Sequence, residues 1–246
     1  MENNEILTII PARGGSKGLL HKNIKLLRGK PLIAWTIEAA GKSKYTGRIV
    51  VSTDDQKIAE VCHEYEVEVP FLRPKELAKD DTSTVDVVIH LLDKLNRDEG
   101  YSPDYFVLLQ PTCPLRTYYD IDAAFETLVN SNENANAVVS LKEAEDRPYW
   151  MRTLNEHGFV DCFIESEHNA KRRQDLPVTY VLNGAVYLCR TDIFLKERTF
   201  LPKGTLGYVM PRFRSVDIDD LLDFKIAELI LSEEKEQDMD FKHDGN

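Results

Sequence analysis

Paired cysteines are missing from this chain. Its four cysteines, Cys62, Cys113, Cys162 and Cys189, stand apart with no Cys-x-x-Cys spacing among them. Reduced, structural thiols are therefore expected, with a disulfide or zinc role the lesser alternative. Long apolar runs are missing too: none approaches the roughly 20 residues of a membrane span. Cations are in deficit, 31 Lys and Arg against 42 Asp and Glu, a net charge of −11. That balance removes the counterion release on which general nucleic-acid binding depends. The opening Met1-Glu2-Asn3-Asn4-Glu5 is acidic and lacks the cationic and apolar regions of a secretory leader, so a cytoplasmic location is expected. Neither Gly-x4-Gly-Lys-Ser/Thr nor Gly-x-Gly-x-x-Gly occurs, which excludes the two commonest phosphate-loop signatures.

Against this acidic background one cationic stretch is conspicuous. Ile6-Leu7-Thr8-Ile9-Ile10 reads as a buried strand, apolar and β-branched. Pro11-Ala12-Arg13-Gly14-Gly15-Ser16-Lys17-Gly18 follows, with Lys22-Asn23 just beyond. Glycines turn the backbone sharply and leave N–H groups exposed, and Arg13, Lys17 and Lys22 sit among them. A polyphosphate needs such a loop at a strand's end. An ordinary glycine turn with surface lysines is an equal reading on composition alone.

An apolar share of 42% over 246 residues is enough for one sizeable α/β core. Pro31 and Leu32–Ala40 read as a helix with proline in its first turn and Gly41 closing it. Arg48–Ser52 is a second buried strand, running into Thr53-Asp54-Asp55, and a helix follows over about 56–65. Thr82 or Ser83 caps a helix whose Val85, Val88, Ile89, Leu92 and Leu95 share a face. Tyr105–Leu109 and Ala137–Leu141 are strands around a helix marked by Ile121, Ala124, Phe125 and Leu128. This alternation predicts a largely parallel sheet with helices on both faces, a Rossmann-like α/β fold. Ligands then belong at the carboxyl ends of the strands. The glycine loop, Thr53–Asp55 and Gln110–Arg116 should share that rim.

From about 142 to 177 the apolar periodicity fades into mixed aromatic and charged residues, Arg147-Pro148-Tyr149-Trp150-Met151 and Lys171-Arg172-Arg173-Gln174. This excursion is either a partner surface or a solvated loop. Val181–Leu188 returns to strand character, with Gly184 marking a close approach. Near the end, Asp217 and Asp219 point to one side if Val216–Asp219 is extended, with Ile218 turned to the core. Mg²⁺ relieves the repulsion of such a pair. The competing account is that Asp219 or Asp220 caps the next helix, through Leu222, Ala227 and Leu231. Residues 1–232 read as one domain carrying the excursion, and 233–246 as an acidic, frayed tail.

Together these stretches resemble the acylneuraminate cytidylyltransferases, the CMP-sialic acid synthetases. The resemblance runs through Ile10–Gly18 with Lys22-Asn23, Arg73–Ala78, Leu109–Arg116, Arg173–Pro177, Asn183–Tyr187 and Asp217-Ile218-Asp219, in the family's order. It implies the nucleotide-diphospho-sugar transferase type of sheet and a transfer of CMP from CTP to a nonulosonic acid, a nine-carbon 2-keto acid sugar, in a homodimer. Arg13, Lys17 and Lys22 would hold the triphosphate, Asn23, Arg73 and Thr84 the cytidine, and Asp217 and Asp219 Mg²⁺. Arg13, Lys17, Lys22 and Asp217 would form the catalytic set. Gln110, Asn183, Tyr187 and Phe200 would face the sugar, and Arg173 the partner's sugar, making the excursion a dimerisation arm. Cys113 stands where the family usually has serine. Trp150 stands where some relatives carry a lysine, which leaves N-acetylneuraminate and N,N'-diacetyllegionaminate both open. A CMP-Kdo synthetase and a non-catalytic nucleotide-binding protein are the alternatives.

Overall fold

The uninterrupted β-branched runs form strands, and the segments of three- and four-residue apolar spacing form helices. The computed structural model describes residues 6–15, 18–131, 135–166 and 172–243, with side chains as far as Glu233. In chain order come β1 (Ile6–Pro11), β2 (Leu26–Leu27), β3 (Lys30–Pro31), α1 (Leu32–Lys42), β4 (Arg48–Ser52), α2 (Gln56–Glu64), α3 (Thr84–Glu99), β5 (Tyr105–Leu108), α4 (Tyr118–Val129), β6 (Ala137–Glu143), β7 (Arg152–Leu154), β8 (Val160–Cys162), β9 (Tyr180–Arg190), α5 (Thr191–Glu197), β10 (Thr205–Val209) and α6 (Leu221–His243).

Six strands make the central sheet, in the order β4-β1-β5-β9-β6-β10. β4, β1 and β5 are mutually parallel, as are β6 and β10, whereas β9 is antiparallel to both its neighbours. The expected largely parallel sheet is present, with one strand reversed. That reversal brings the start of β9 to the rim where the parallel strands end: Tyr187 pairs with Leu108, the last residue of β5.

Side-chain alternation along each strand sorts the core into two layers. Leu7, Ile9, Phe106 and Leu108 pack with Val88 and Leu91 of α3 and Phe194 of α5. Ile10, Val51, Val107 and Leu109 pack on the other side with Ile33 of α1, Ile58 of α2 and Phe125 of α4. Burying each such side chain contributes about 1.5–3 kcal/mol. A smaller cluster joins Leu27, Leu32, Leu115 and Ile218 to Phe224, Ala227 and Leu231 of α6. It anchors the segment before α6 against the rim.

Several local expectations need correction. α1 does not close at Gly41 but runs through it to Lys42, with Ser43 as its C-cap. One glycine in a final turn costs about 1 kcal/mol, too little to stop a packed helix. Pro31 is the N-cap, in extended geometry, rather than a first-turn residue. Ser83 supplies the cap of α3, accepting the Asp86 N–H at 3.2 Å. The buried face of α3 includes Val87 and Leu91, while Val85 and Ile89 lie at its edge. The stripe is wide enough that only the sheet beneath settles its centre. α6 carries its backbone to His243, through most of the stretch expected as a frayed tail, and 244–246 lie outside the described residues. The excursion contains a small antiparallel pair, β7 with β8, whose residues are all exposed.

Candidate active site

Two of the three rim segments named from the sequence, the glycine loop and Gln110–Arg116, line a cavity of about 510 Å³, and Thr53–Asp55 is not among its walls. Arg13, Lys22 and Asn23 wall it from the glycine loop and just beyond, Arg73 from the connection between α2 and α3, and Thr84 from the start of α3. Gln110 and Asp219 close the remaining sides. Lys17, with Ser16, lies outside the described residues.

The glycine loop is held by its neighbours rather than by its own ladder. Asn23 is buried and donates from Nδ2 to the Arg13 carbonyl at 2.9 Å. The Lys22 ammonium donates to the Ile218 carbonyl at 2.6 Å and lies 3.3 Å from Asp219 Oδ1. A Cβ built at Gly18 would overlap the backbone carbonyl oxygen of Asp219. Loop and acidic segment are therefore in backbone contact, and only glycine allows it.

Arg73 is only 5% exposed, and its Nε has no partner among the described residues. Burial pushes its pKa down, Asp54 opposes the shift, and Arg13 adds to it. Asp54 lies 3.6 Å from the Arg73 guanidinium and accepts the Gly14 N–H at 3.0 Å. One carboxylate thus links the glycine loop to the buried arginine. Arg13 itself bridges to Asp80 at 2.7 Å.

On the acidic side, Ile218 is fully buried and donates its N–H to the Thr112 carbonyl at 2.8 Å. This pins the segment to the β5 loop and leaves Asp217 and Asp219 flanking a fixed point. Burial raises the Asp217 pKa above the usual carboxylate value, a Thr112 hydrogen bond opposes that, and Asp219 raises it further. Capping falls to Asp220, which accepts the Leu222 and Asp223 N–H groups at 2.7 and 3.0 Å. Asp217 and Asp219 are thereby free of the competing role. Among the described residues no cluster of three or more His, Cys, Asp and Glu is arranged to hold a metal. A pair of carboxylates, one desolvated and both repelling, instead suits an ion completed by substrate phosphates and water.

Gly184 has φ 76°, and a Cβ there would lie 3.4 Å from Asp217, 3.5 Å from Gln110 and 3.6 Å from Cys113 Sγ. Behind it the Cys113 thiol, pushed up to about 12 by burial, donates to the Asn183 carbonyl at 3.3 Å. The fully buried Arg116 donates to the carbonyls of Gln110 and Ala185 at 3.2 and 2.9 Å, tying the β5 loop to β9. Tyr187 packs on Phe200 with ring centroids 5.2 Å apart, and burial followed by Cys113 and Asp217 raises its pKa. Neither Tyr187 nor Phe200, both expected to face the sugar, is among the residues walling the cavity; they pack against the core layer of Leu7, Phe106 and Phe194.

Two further expected sugar contacts also lie off the cavity walls. Arg173 lies on a short 3-10 turn of the excursion, outside the cavity walls. Asn183 is a correction: its side chain is turned into the core. Its Nδ2 donates to Ser215 Oγ and Met210 Sδ at 2.9 and 3.2 Å, and its Oδ1 accepts from Ser140 Oγ and the Ala185 N–H at 2.6 and 3.2 Å. An amide with both ends spent cannot also bind a ligand. It fixes the backbone that presents Gly184. Replacing Asn183 with Ala is expected to lower unfolding free energy by about 2–4 kcal/mol, read by urea denaturation, because its buried partners lose their bonds together.

Asp54, Asp80 and Thr112 carry no role in the sequence reading. Asp54 was legible as a strand-end carboxylate, but nothing local reveals its bonds to Gly14 and Arg73.

A family model described as Cytidylyltransferase matches residues 7–235. The chain is 34% identical over 236 residues to N-acylneuraminate cytidylyltransferase of Escherichia coli, covering 96% of this chain and 54% of that one. It thus spans about half the length of that relative. It is 36% identical over 234 residues to CMP-N,N'-diacetyllegionaminic acid synthase of Legionella pneumophila, covering 92% and 96% of the two chains. A solved CMP:2-keto-3-deoxy-manno-octonic acid synthetase complexed with CTP shares the fold, with TM-score 0.68 at 16% identity over 94% of this chain and 99% of that one.

Proposed function

Because this chain belongs to the cytidylyltransferase family, we propose that it transfers CMP from CTP to a nonulosonic acid, releasing pyrophosphate. One observation carries the reading: cations and an acidic segment wall the same cavity, with Lys22 bonded to the Ile218 carbonyl between the two aspartates. Arg13 and Lys22 take the triphosphate and steady the departing pyrophosphate. Arg73, buried and with an unused donor, is suited to the acceptor edge of cytosine, with Asn23 and Thr84 beside it. Gln110, Tyr187 and Phe200 orient the sugar so that its anomeric hydroxyl reaches the α-phosphorus in line. Such catalysis is positioning and charge stabilisation. Asp217 and Asp219 would hold Mg²⁺, which when bound offsets charge on the phosphates and lowers the pKa of a nearby hydroxyl.

For the sugar, relatives that use N-acylneuraminate and N,N'-diacetyllegionaminate stand at 34% and 36% identity. Trp150 in place of a cation favours the less hydroxylated legionaminate, through a more apolar wall. Offering CTP with each acid and with Kdo, and following pyrophosphate, tests both levels. Turnover with a nine-carbon acid is expected, with the higher kcat/KM for N,N'-diacetyllegionaminate. No turnover with any nonulosonic acid would sink the function. A preference for N-acetylneuraminate would sink only the Trp150 argument.

The excursion serves as the contact between two copies. Leu154, Phe159, Val160 and Phe163 of its hairpin are 60–72% exposed, an apolar surface of the kind that marks an interface. Light scattering on the purified protein should give the mass of two chains, and Phe159→Asp with Phe163→Asp should shift it towards one. No described helix is long and apolar enough to cross a membrane. A cytoplasmic location suits an enzyme drawing on nucleoside triphosphate.

A further inference from the structure

One buried carboxylate has no part in the reaction proposed above. Asp120, in the first turn of α4, is fully buried and lies outside the cavity walls. Its Oδ2 accepts the Thr117 N–H and hydroxyl, both at 2.9 Å, which caps the helix. Capping needs only that oxygen. Oδ1 accepts the Tyr208 hydroxyl at 3.1 Å and two N–H groups of the Arg214 guanidinium at 3.2 and 3.0 Å.

Arg214 ends the 3-10 turn Arg212–Arg214, three residues before Asp217. The stretch that follows is tied at Ser215, which accepts from Asn183 at 2.9 Å, and at Ile218, whose N–H reaches the Thr112 carbonyl at 2.8 Å. Each of those ties is one neutral hydrogen bond. The tie at Arg214 is charge-assisted and doubled, and its acceptor is out of water, so it is the stiffest of them. α4 itself continues directly from Gln110–Arg116. The pair therefore braces the entry of the acidic segment against the loop that walls the cavity beside it.

We infer that Asp120 is a positioning residue for the metal-holding aspartates, acting through Arg214. It sets where the acidic segment enters the cavity and so how closely Asp217 and Asp219 converge. The inference rests on the CTP-dependent reading above and adds to it the brace behind the acidic pair. Two carboxylates that repel each other converge only on a backbone held against that repulsion. Outer partners of ligating groups typically change metal affinity about 10- to 100-fold. The identity of residue 120 matters too, because the groups that bond to it are all donors. A carboxylate accepts from all of them, whereas an amide would turn an NH₂ onto one.

The test titrates CTP calorimetrically over a range of Mg²⁺ from none upward, without sugar so that nothing turns over. With EDTA, D120N, R214Q, R214K and Y208F should bind CTP as the wild type does, since the cations walling the cavity are untouched. In D120N and R214Q the Mg²⁺ concentration that half-tightens CTP binding should rise about tenfold or more. R214K, which restores the charge without the planar fork, should recover part of the loss. R214Q, altered at a side chain 24% exposed, carries the test where D120N does not fold. Y208F also removes a donor from Asp120, but Tyr208 lies on β10 and not on the acidic segment. It should lower thermal stability and leave the Mg²⁺ half-point unchanged. In the steady state the R214Q rate deficit should shrink as Mg²⁺ is raised. A wild-type half-point in R214Q, an equal shift in Y208F, or a fall in metal-free CTP affinity as large as that with metal would overturn the inference while leaving the proposed reaction intact. Wild-type binding of CTP that ignores Mg²⁺ would remove the metal role of Asp217 and Asp219, and the inference with it. A wild-type protein that binds no CTP at all would remove the reaction itself.

Discussion

Replacing Asp217 with Asn is expected to abolish turnover, lowering kcat at least about 10²-fold, while CTP binding is retained and the fold becomes no less stable. The geometry makes both halves of this result follow from one residue. Asp217 lies half-buried in a corner formed by Thr112, Cys113, Gln110 and Gly184, close enough to Asp219 to be repelled by it. Burial and Asp219 together raise its pKa. A carboxyl whose folded pKa lies above the unfolded value, about 3.9, supports the fold fully only below that value. The support is lost as pH climbs through the folded pKa. Once ionised, the group works against folding, and an isosteric amide removes that penalty. Steady-state kinetics, CTP titration and thermal melts across pH 4–8 would check it. A variant that turns over at near wild-type rate would show that Asp217 stands outside the chemistry. The same result would favour a nucleotide-binding protein without catalysis, since the acidic pair is what separates the two readings.

Gly18→Ala should cost about 10² in kcat/KM while moving stability by less than about 1.5 kcal/mol. The φ of Gly18 lies outside the left-handed region, so alanine meets no backbone penalty there. Its methyl meets the carbonyl oxygen of Asp219 instead, and that carbonyl belongs to a segment tethered by Ile218. Loop and segment must then separate, carrying Lys22 away from Asp219. A displacement near an ångström at reacting groups is worth about two decades in rate. Gly41→Ala is the control, because nothing lies within 4 Å of its added methyl. It should leave kinetics alone and add about 0.5–1 kcal/mol of helix stability. Equal activity in the two variants would mean that the contact at Gly18 does not set the site.

Much of the site was legible before any coordinates, for physical reasons. A buried strand is a run of apolar, β-branched residues, and in a parallel sheet its polar sequel must fall on one rim. On that basis the glycine loop, Thr53–Asp55 and Gln110–Arg116 belong on one rim: the first and last wall the cavity, Asp54 of the second accepts from Gly14 without lining it, and Ile218 turns to the core as its place in an extended run requires. The direction of β9 was not legible, because an apolar run reads the same whichever way it pairs. Asn183 was misleading for a related cause. It entered through the resemblance, as part of the run Asn183–Tyr187, and only Ser140, Ser215 and Met210, distant in sequence, show that it is consumed internally. The extra turn of α1 past Gly41 and the centre of the α3 face were likewise decided by packing rather than propensity. The Arg13–Asp80 bond had no local signal at all.

β9 changes character along its length. Tyr180, Val181 and Leu182 are exposed beside the excursion, whereas Asn183 to Val186 are buried beneath the acidic corner. Handle and hearth are forged from one rod. Whatever grips the outer end bears on the floor under Gly184 without an intermediary, so an interface at the excursion and the seating of the acidic corner would not be separately adjustable.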